Sequence, residues 1–193
     1  MPALVLASTS VYRRQLLARL GLPFEVAAPS CDEEALKDER PDPVALASHL
    51  AKEKARSVAG QFAHAHVLGS DQLVEIDGEV LGKPGSAERA VLQLTKLAGR
   101  AHRLITAYAI VCPGGALLEH VDAHVLHMRA LTRPELERYV RADQPLDCAG
   151  SYKIEALGIA LFERIEGADF TAIMGLPLVA LTSSLRAQGF AVP

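Results

Sequence analysis

The chain has 193 residues, half of them hydrophobic and 22% charged, with 20 Lys+Arg against 23 Asp+Glu for a formal net charge of −3. That balance argues against a partner such as duplex nucleic acid, which is held by summed phosphate contacts, and no apolar run approaches the roughly 20 residues that cross a bilayer. The chain is long enough to bury a sizeable core as one domain, 1–193, or as two closely joined lobes, without metal or disulfide.

Residues 3–7 are a short apolar run of the buried-strand kind. Ser8-Thr9-Ser10 turns the chain, and 11–20 is amphipathic until Gly21 ends it, so the opening reads strand, polar turn, helix. A second strand is predicted at 24–28, ahead of an acidic, proline-broken loop that ends at Pro43. Helical periodicity returns over 44–59 through Leu46, Leu50, Ala51, Ala55 and Val58. Residues 66–69 and 73–76 read as separate short strands around Ser70-Asp71-Gln72, and Asp77-Gly78 is a hairpin turn into 79–81. A helix follows at 86–97, with Ser86 as N-cap and Gly99 as terminator. Strands at 102–111 and 117–128 flank Pro113-Gly114-Gly115; 133–142 is helical, 158–163 a buried strand and 176–188 a closing helix. Strands and helices alternate, yet two hairpins interrupt the alternation, which predicts an α/β fold with a mixed sheet.

Several stretches carry chemistry. At 7–14, hydroxyls, free N–H groups at a helix start, Arg13 and Arg14 would converge on an anion, although a plain N-cap with solvated arginines accounts for the same residues. It is not a P-loop, because no G-x-x-x-x-G-K-[ST] occurs. Asp71 lies among small residues at a strand end, a position that suits a base or a metal ligand and equally a turn-forming aspartate. Lys83 is fixed between Gly82 and Pro84, and Lys52 and Lys54 share one helix. Glu33, with Asp32 and Glu34, is a solvated acidic turn unless one carboxylate faces the basic groups and holds a divalent cation. His64-x-His66 and His124-x-x-His127 bring no third ligand of the expected kind. Cys31, Cys112 and Cys148 contain no C-x-x-C pair and read as small buried hydrophobes of a reducing, cytoplasmic compartment.

Taken in order, Leu-Ala-Ser-Thr-Ser-x-Tyr-Arg-Arg-x-Leu-Leu over 6–17, Asp32-Glu33, Leu50-Ala51-x-x-Lys54-Ala55, Gly69-Ser70-Asp71-Gln72, Gly82-Lys83-Pro84, Leu97-Ala98-Gly99-x-x-His102, Cys148-Ala149-Gly150-Ser151-Tyr152 and Gly175-Leu176-Pro177-Leu178 resemble the Maf family of nucleotide pyrophosphatases. The resemblance spans nearly the whole chain. It implies a Maf/ITPase-like fold, a mixed twisted sheet with flanking helices and two lobes around a deep cleft, working as a homodimer. It also implies hydrolysis of the α–β anhydride of a nucleoside triphosphate with Mg²⁺ or Mn²⁺ as cofactor, and a small-molecule nucleotide as the partner, with no membrane. By position Asp71 would be the general base and a metal ligand, and Glu33 a metal-linked carboxylate. Arg13, Lys52 or Lys54, and Lys83 would clamp phosphate, with Ser8 and Arg14 beside them. Val11 stands where the family usually has proline, which would loosen the first helical turn without removing a chemical group.

Within the family, Glu155 takes the place of a glutamine, and Gln72 of a threonine, found in the branch acting on dTTP and UTP; both exchanges resemble the branch acting on 7-methyl-GTP. An ionised Glu155 only accepts, which suits the N1–H and N2–H₂ donors of guanine, and Tyr12 would stack on the cationic methylated base. The alternatives are a dTTP/UTP pyrophosphatase of the same family and a nucleotide-binding regulator of cell division without turnover. Asp71 together with Lys83 favours catalysis, because a sensor has no use for a base beside the phosphates.

Overall fold

The structure, a computed structural model, describes residues 2–32 and 42–193. In chain order these form β1 (Ala3–Ala7), α1 (Val11–Ala18), β2 (Glu25–Ala27), α2 (Pro43–Ala59), β3 (Ala65–Ile76), β4 (Glu79–Leu81), α3 (Ala87–Leu97), β5 (Ala101–Val111), β6 (Leu117–Met128), α4 (Arg133–Asp143), 3₁₀ turns at Ala149–Ser151 and Leu157–Leu161, β7 (Phe162–Glu166), α5 (Phe170–Ile173) and α6 (Leu178–Ala187). The described strands make a seven-stranded sheet in the order β2-β1-β3-β5-β6-β7, with β4 paired to β3. β1 runs parallel to β2 and β3, whereas β3–β4 and β6–β7 are antiparallel, so the sheet is mixed as the embedded hairpins predict. At the first of these, Asp77 (φ 54°) and Gly78 (φ 82°) are both left-handed, as a two-residue primed turn requires.

The chain divides into two compact units, one of Met1–Asp71, Thr106–Asp122 and Asp169–Pro193, the other of Gln72–Ile105 and Ala123–Ala168. In the first, β1 sends alternate side chains to opposite faces. Leu4 and Leu6 pack with Leu16 and Leu17 of α1 and with Leu181 and Leu185 of α6. Val5 and Ala7 pack with Ala55 and Val58 of α2. A period of two in the strand thus lays helices on both faces. In the second unit, α3 buries Ala90, Val91, Leu94 and Leu97, and α4 buries Leu136, Tyr139 and Val140. There His102, Tyr152 and Phe162 cluster, with Tyr152 and Phe162 edge to face at 5.0 Å.

Three elements depart from the sequence reading. β3 is one twelve-residue strand rather than two, because β1 pairs with it as far as Gly69 and β4 from Val74, and Ser70 and Asp71 are buried where a turn would strand their backbone. Residues 157–161 are a 3₁₀ turn and the strand begins at Phe162; a Cβ on Gly158 would lie 2.3 Å from the Lys153 carbonyl, so the chain folds tightly back on itself there. The closing helix starts at Leu178 with Pro177 as its cap. The short helix α5 precedes it, started by Asp169, whose carboxylate accepts from Thr171 and Val179 N–H groups.

Candidate active site

The parallel register of β1 and β3 puts Ala7 opposite Gly69, so the Ser8-Thr9-Ser10 turn leaves β1 beside the Ser70-Asp71 step of β3. Ser8 is buried and its Oγ accepts the Ser10 N–H at 3.1 Å, while Ser10 caps α1 by accepting the Arg13 N–H at 3.4 Å. Arg13 Nε donates to the Gly175 carbonyl at 3.2 Å, and Ser70 Oγ donates to the same oxygen at 3.0 Å. One carbonyl therefore ties the arginine to the residue before Asp71. Gly175 has φ 117°, which a side chain would not tolerate. On α1, Tyr12 is half-buried and Arg14 exposed.

Asp71 owes its setting to a glycine. A Cβ on Gly69 would stand 2.2 Å from the Ala51 carbonyl and 2.6 Å from the Ala55 nitrogen, so only glycine lets the α2 backbone lie directly on β3. That approach brings Lys54 Nζ to 2.6 Å from Asp71 Oδ1, with both side chains less than one-tenth exposed. Each charge is tolerated in that position because the other is there. Lys52, two residues earlier, points about 200° round the helix. It pairs with Glu119 at 3.0 Å, and Glu119 also accepts from Ser48 at 2.9 Å. Burial pushes the Glu119 carboxyl up, but the bonds from Lys52 and Ser48 and the charges of Lys52 and Arg56 outweigh it and hold it below the ordinary carboxylate range. Of the two lysines, Lys54 is the one brought to Asp71.

Gln72, Lys83 and Glu155 belong to the second unit. Gln72 is half-buried; Lys83 and Glu155 are exposed. The loop ahead of Glu155 is tightly held: Gly150 (φ 70°) and Ser151 (φ 65°) are left-handed in succession, and the Lys153 N–H donates to Tyr139 Oη at 3.0 Å. His102 Nε2 lies 3.1 Å from Tyr152 Oη, and burial, helped by the charge of His127 and opposed by Glu75, pushes the imidazole down to about 4.

Glu33 and Glu34 lie outside the described residues, while Asp32 is exposed. Among the described residues no three His, Cys, Asp or Glu side chains gather as a metal site. His64 is exposed whereas His66 is buried. Of the cysteines, Cys112 is buried as read from the sequence, but Cys31 and Cys148 are only half-buried. Burial and the neighbouring Asp147 push the Cys148 thiol up to about 12, the opposite of an activated nucleophile. Two residues of consequence escaped the sequence reading in their roles, Gly175 and Gln93. Gln93 left a signal, a polar residue on the face of a helix that otherwise buries Ala90, Leu94 and Leu97.

Comparison with known proteins shows what the chain is similar to. A 7-methyl-GTP pyrophosphatase of Xanthomonas campestris pv. campestris is 50% identical over 193 residues, all of both chains. One from Albidiferax ferrireducens is 49% identical over 98% of this chain and 94% of its own, and one from Pseudomonas savastanoi pv. phaseolicola is 45% identical over the whole of both. A solved nucleoside-triphosphatase / dITP/XTP pyrophosphatase from Mycobacterium abscessus has a TM-score of 0.49 at 16% identity, covering 96% of this chain and 94% of that one. The model of the Maf-like protein family matches residues 3–188, and the chain belongs to that family.

Proposed function

We propose that this protein hydrolyses the α–β anhydride of a nucleoside triphosphate to the monophosphate and pyrophosphate, with 7-methyl-GTP as its preferred substrate. The observation that carries the reaction class is the buried Asp71–Lys54 couple at the step of β3 beside the Ser8–Ser10 turn. Its neighbourhood supplies what displacement at phosphorus needs, a base for the water and cationic groups for the phosphoryl oxygens. Asp71 accepts a proton from the attacking water as its oxygen bonds to the α-phosphorus, and the bond to the bridging oxygen breaks to release pyrophosphate. Lys54 neutralises the carboxylate before the reaction, and Arg13, with its stem fixed on Gly175, meets the phosphates. The resemblance assigns Lys83 to phosphate and Glu33 to a metal-linked carboxylate.

The donor chemistry fits a hard divalent ion. Mg²⁺ or Mn²⁺ needs only one or two carboxylates beside water and substrate oxygens, so Asp71 and, by the resemblance, Glu33 would hold it without a protein-only cage. When bound, the ion withdraws charge from the phosphoryl oxygens.

The base preference rests on the names of the relatives and on two residues. Glu155 accepts from the guanine edge, and Tyr12 offers a ring face to the N7-methylated, cationic base, an attraction of about 0.5 to 2 kcal/mol that GTP lacks. The resemblance adds a homodimer and a cytoplasmic setting; among the described residues no helix is long and apolar enough to cross a membrane. The test is kcat/KM on 7-methyl-GTP, GTP, dTTP and UTP with Mg²⁺, reading pyrophosphate against orthophosphate. Pyrophosphate released fastest from 7-methyl-GTP is expected. Faster cleavage of dTTP or UTP would move the protein to the other branch, and orthophosphate as first product would remove the reaction class.

A further inference from the structure

Gln93 lies half-buried on α3 between the fully buried Ala90 and Leu94, and its amide is hydrogen-bonded on both sides. The two partners are on different loops of the same unit. Its Nε2 donates to the Gly82 carbonyl at 3.0 Å, and its Oε1 accepts from Ser151 Oγ at 2.5 Å. The first loop continues into Lys83, the second into Glu155. A backbone bond from the Gly85 N–H to the Leu146 carbonyl, 3.0 Å, ties the first loop to the chain five residues ahead of Ser151.

The geometry makes the amide directional. A carbonyl only accepts, so Nε2 faces Gly82 and Oε1 is left for the Ser151 hydroxyl; a carboxylate at position 93 would keep the second bond and oppose two acceptors at the first. Ser151 also needs an outside constraint, since a non-glycine residue at φ 65° persists only where its surroundings hold it. Ser151 is wholly buried, and the Gly150 before it is closed in by Val74 and Tyr152, whose atoms would stand 2.7 and 2.9 Å from a Cβ there. On the far side, Lys153 Nζ donates to the carbonyls of Asp143 and Gln144, each at 3.1 Å, at the end of α4.

We propose that Gln93 is a positioning residue that locks the Lys83 loop to the Ser151–Glu155 stretch, so that phosphate neutralisation and base reading are set in one register. The functional half of this inference rests on the roles given to Lys83 and Glu155 above; the mechanical half does not. Amide hydrogen exchange tests the mechanical half with no substrate present. In Gln93→Met, 82–85 and 151–155 should both exchange about tenfold faster than in the wild type, as the loss of a half-buried hydrogen bond on each side predicts. Loosening of one stretch alone, or of neither, overturns the coupling. Gln93→Glu guards against a folding defect of the first variant: it should loosen 82–85 and leave 151–155 protected, and equal loosening of both would contradict the directional bond. Steady-state kinetics test the functional half. Assayed where it is still fully folded, Gln93→Met should lose about tenfold in kcat/KM on 7-methyl-GTP and less on GTP, narrowing the preference. An unchanged ratio overturns the functional half. A wild-type protein that releases no pyrophosphate from any nucleotide counts against the proposed activity, and the exchange result then decides the coupling by itself.

Discussion

Asp71 and Lys54 form a buried ion pair, so removing either charge leaves the other buried and lowers stability, while kcat reports the chemistry of Asp71 separately. Asp71→Asn keeps the shape and loses the proton affinity; kcat should fall by about 10² or more with KM little changed. Near wild-type kcat in that variant would make Asp71 structural. Lys54→Met leaves a buried carboxylate without its counter-charge, a loss of about 3 to 5 kcal/mol in urea unfolding, and adding Asp71→Asn should recover part of it. Equal stability of Lys54→Met and wild type would mean that the couple is solvated. If Tyr12 and Glu155 read the base as proposed, Tyr12→Ala and Glu155→Gln should each narrow the kcat/KM preference for 7-methyl-GTP over GTP, and an unchanged ratio in both would reject their assignment.

At the scale of elements, the site depends on how closely α2 lies on β3. Gly69→Ala sets a methyl against backbone atoms that cannot move aside, 2.2 Å from the Ala51 carbonyl. The helix must shift, with a stability loss of about 3 kcal/mol or more and a fall in turnover as Lys54 moves off Asp71. Gly60→Ala is the control: it meets nothing within 4 Å and has the ordinary helical φ of −61° at the end of the same helix. It should be neutral or stabilising by about 0.5 kcal/mol. Thermal melts of the two variants check this, and similar melting temperatures would show that the helix accommodates a side chain at position 69.

For the whole molecule, His102 ties stability to pH. Its folded value, about 4, lies below the ordinary 6.5 because burial disfavours the charged ring. The unfolded chain therefore takes up its proton first as pH falls. The stabilisation is complete above pH 6.5, shrinks between 6.5 and about 4, and amounts to about 3 kcal/mol. His102→Gln can still bond to Tyr152 and does not titrate, so its urea midpoint should fall less than that of the wild type between pH 7 and 4. Parallel falls would place the acid sensitivity elsewhere. The proposed activity predicts a separate dependence of turnover on divalent cation: excess chelator should abolish pyrophosphate release and Mg²⁺ restore it, and undiminished turnover in chelator would remove the metal from the reaction.

Much of this protein was readable along the chain, because local physics acts over a few residues. An N-cap in the turn before α1, the Ser86 cap on α3, the Asp77-Gly78 turn and the buried strand over Ala3–Ala7 follow from hydrogen bonding and hydrophobic patterning, and all appear in the structure. Motif order along the chain pointed to Ser8, Arg13, Asp71 and one of Lys52 and Lys54. What the sequence left open were contacts between residues far apart in it. Ser70-Asp71 looks like a turn until β1 and β4 claim the flanking backbone. Lys52 and Lys54 are alike in sequence, and the packing of α2 on Gly69 alone turns one toward Asp71 and leaves the other to Glu119. Gly175 and Gln93 acquire roles through partners distant in the chain, among them Ser70 and Ser151 at 105 and 58 residues, and such pairings are decided by tertiary packing, which no local propensity encodes.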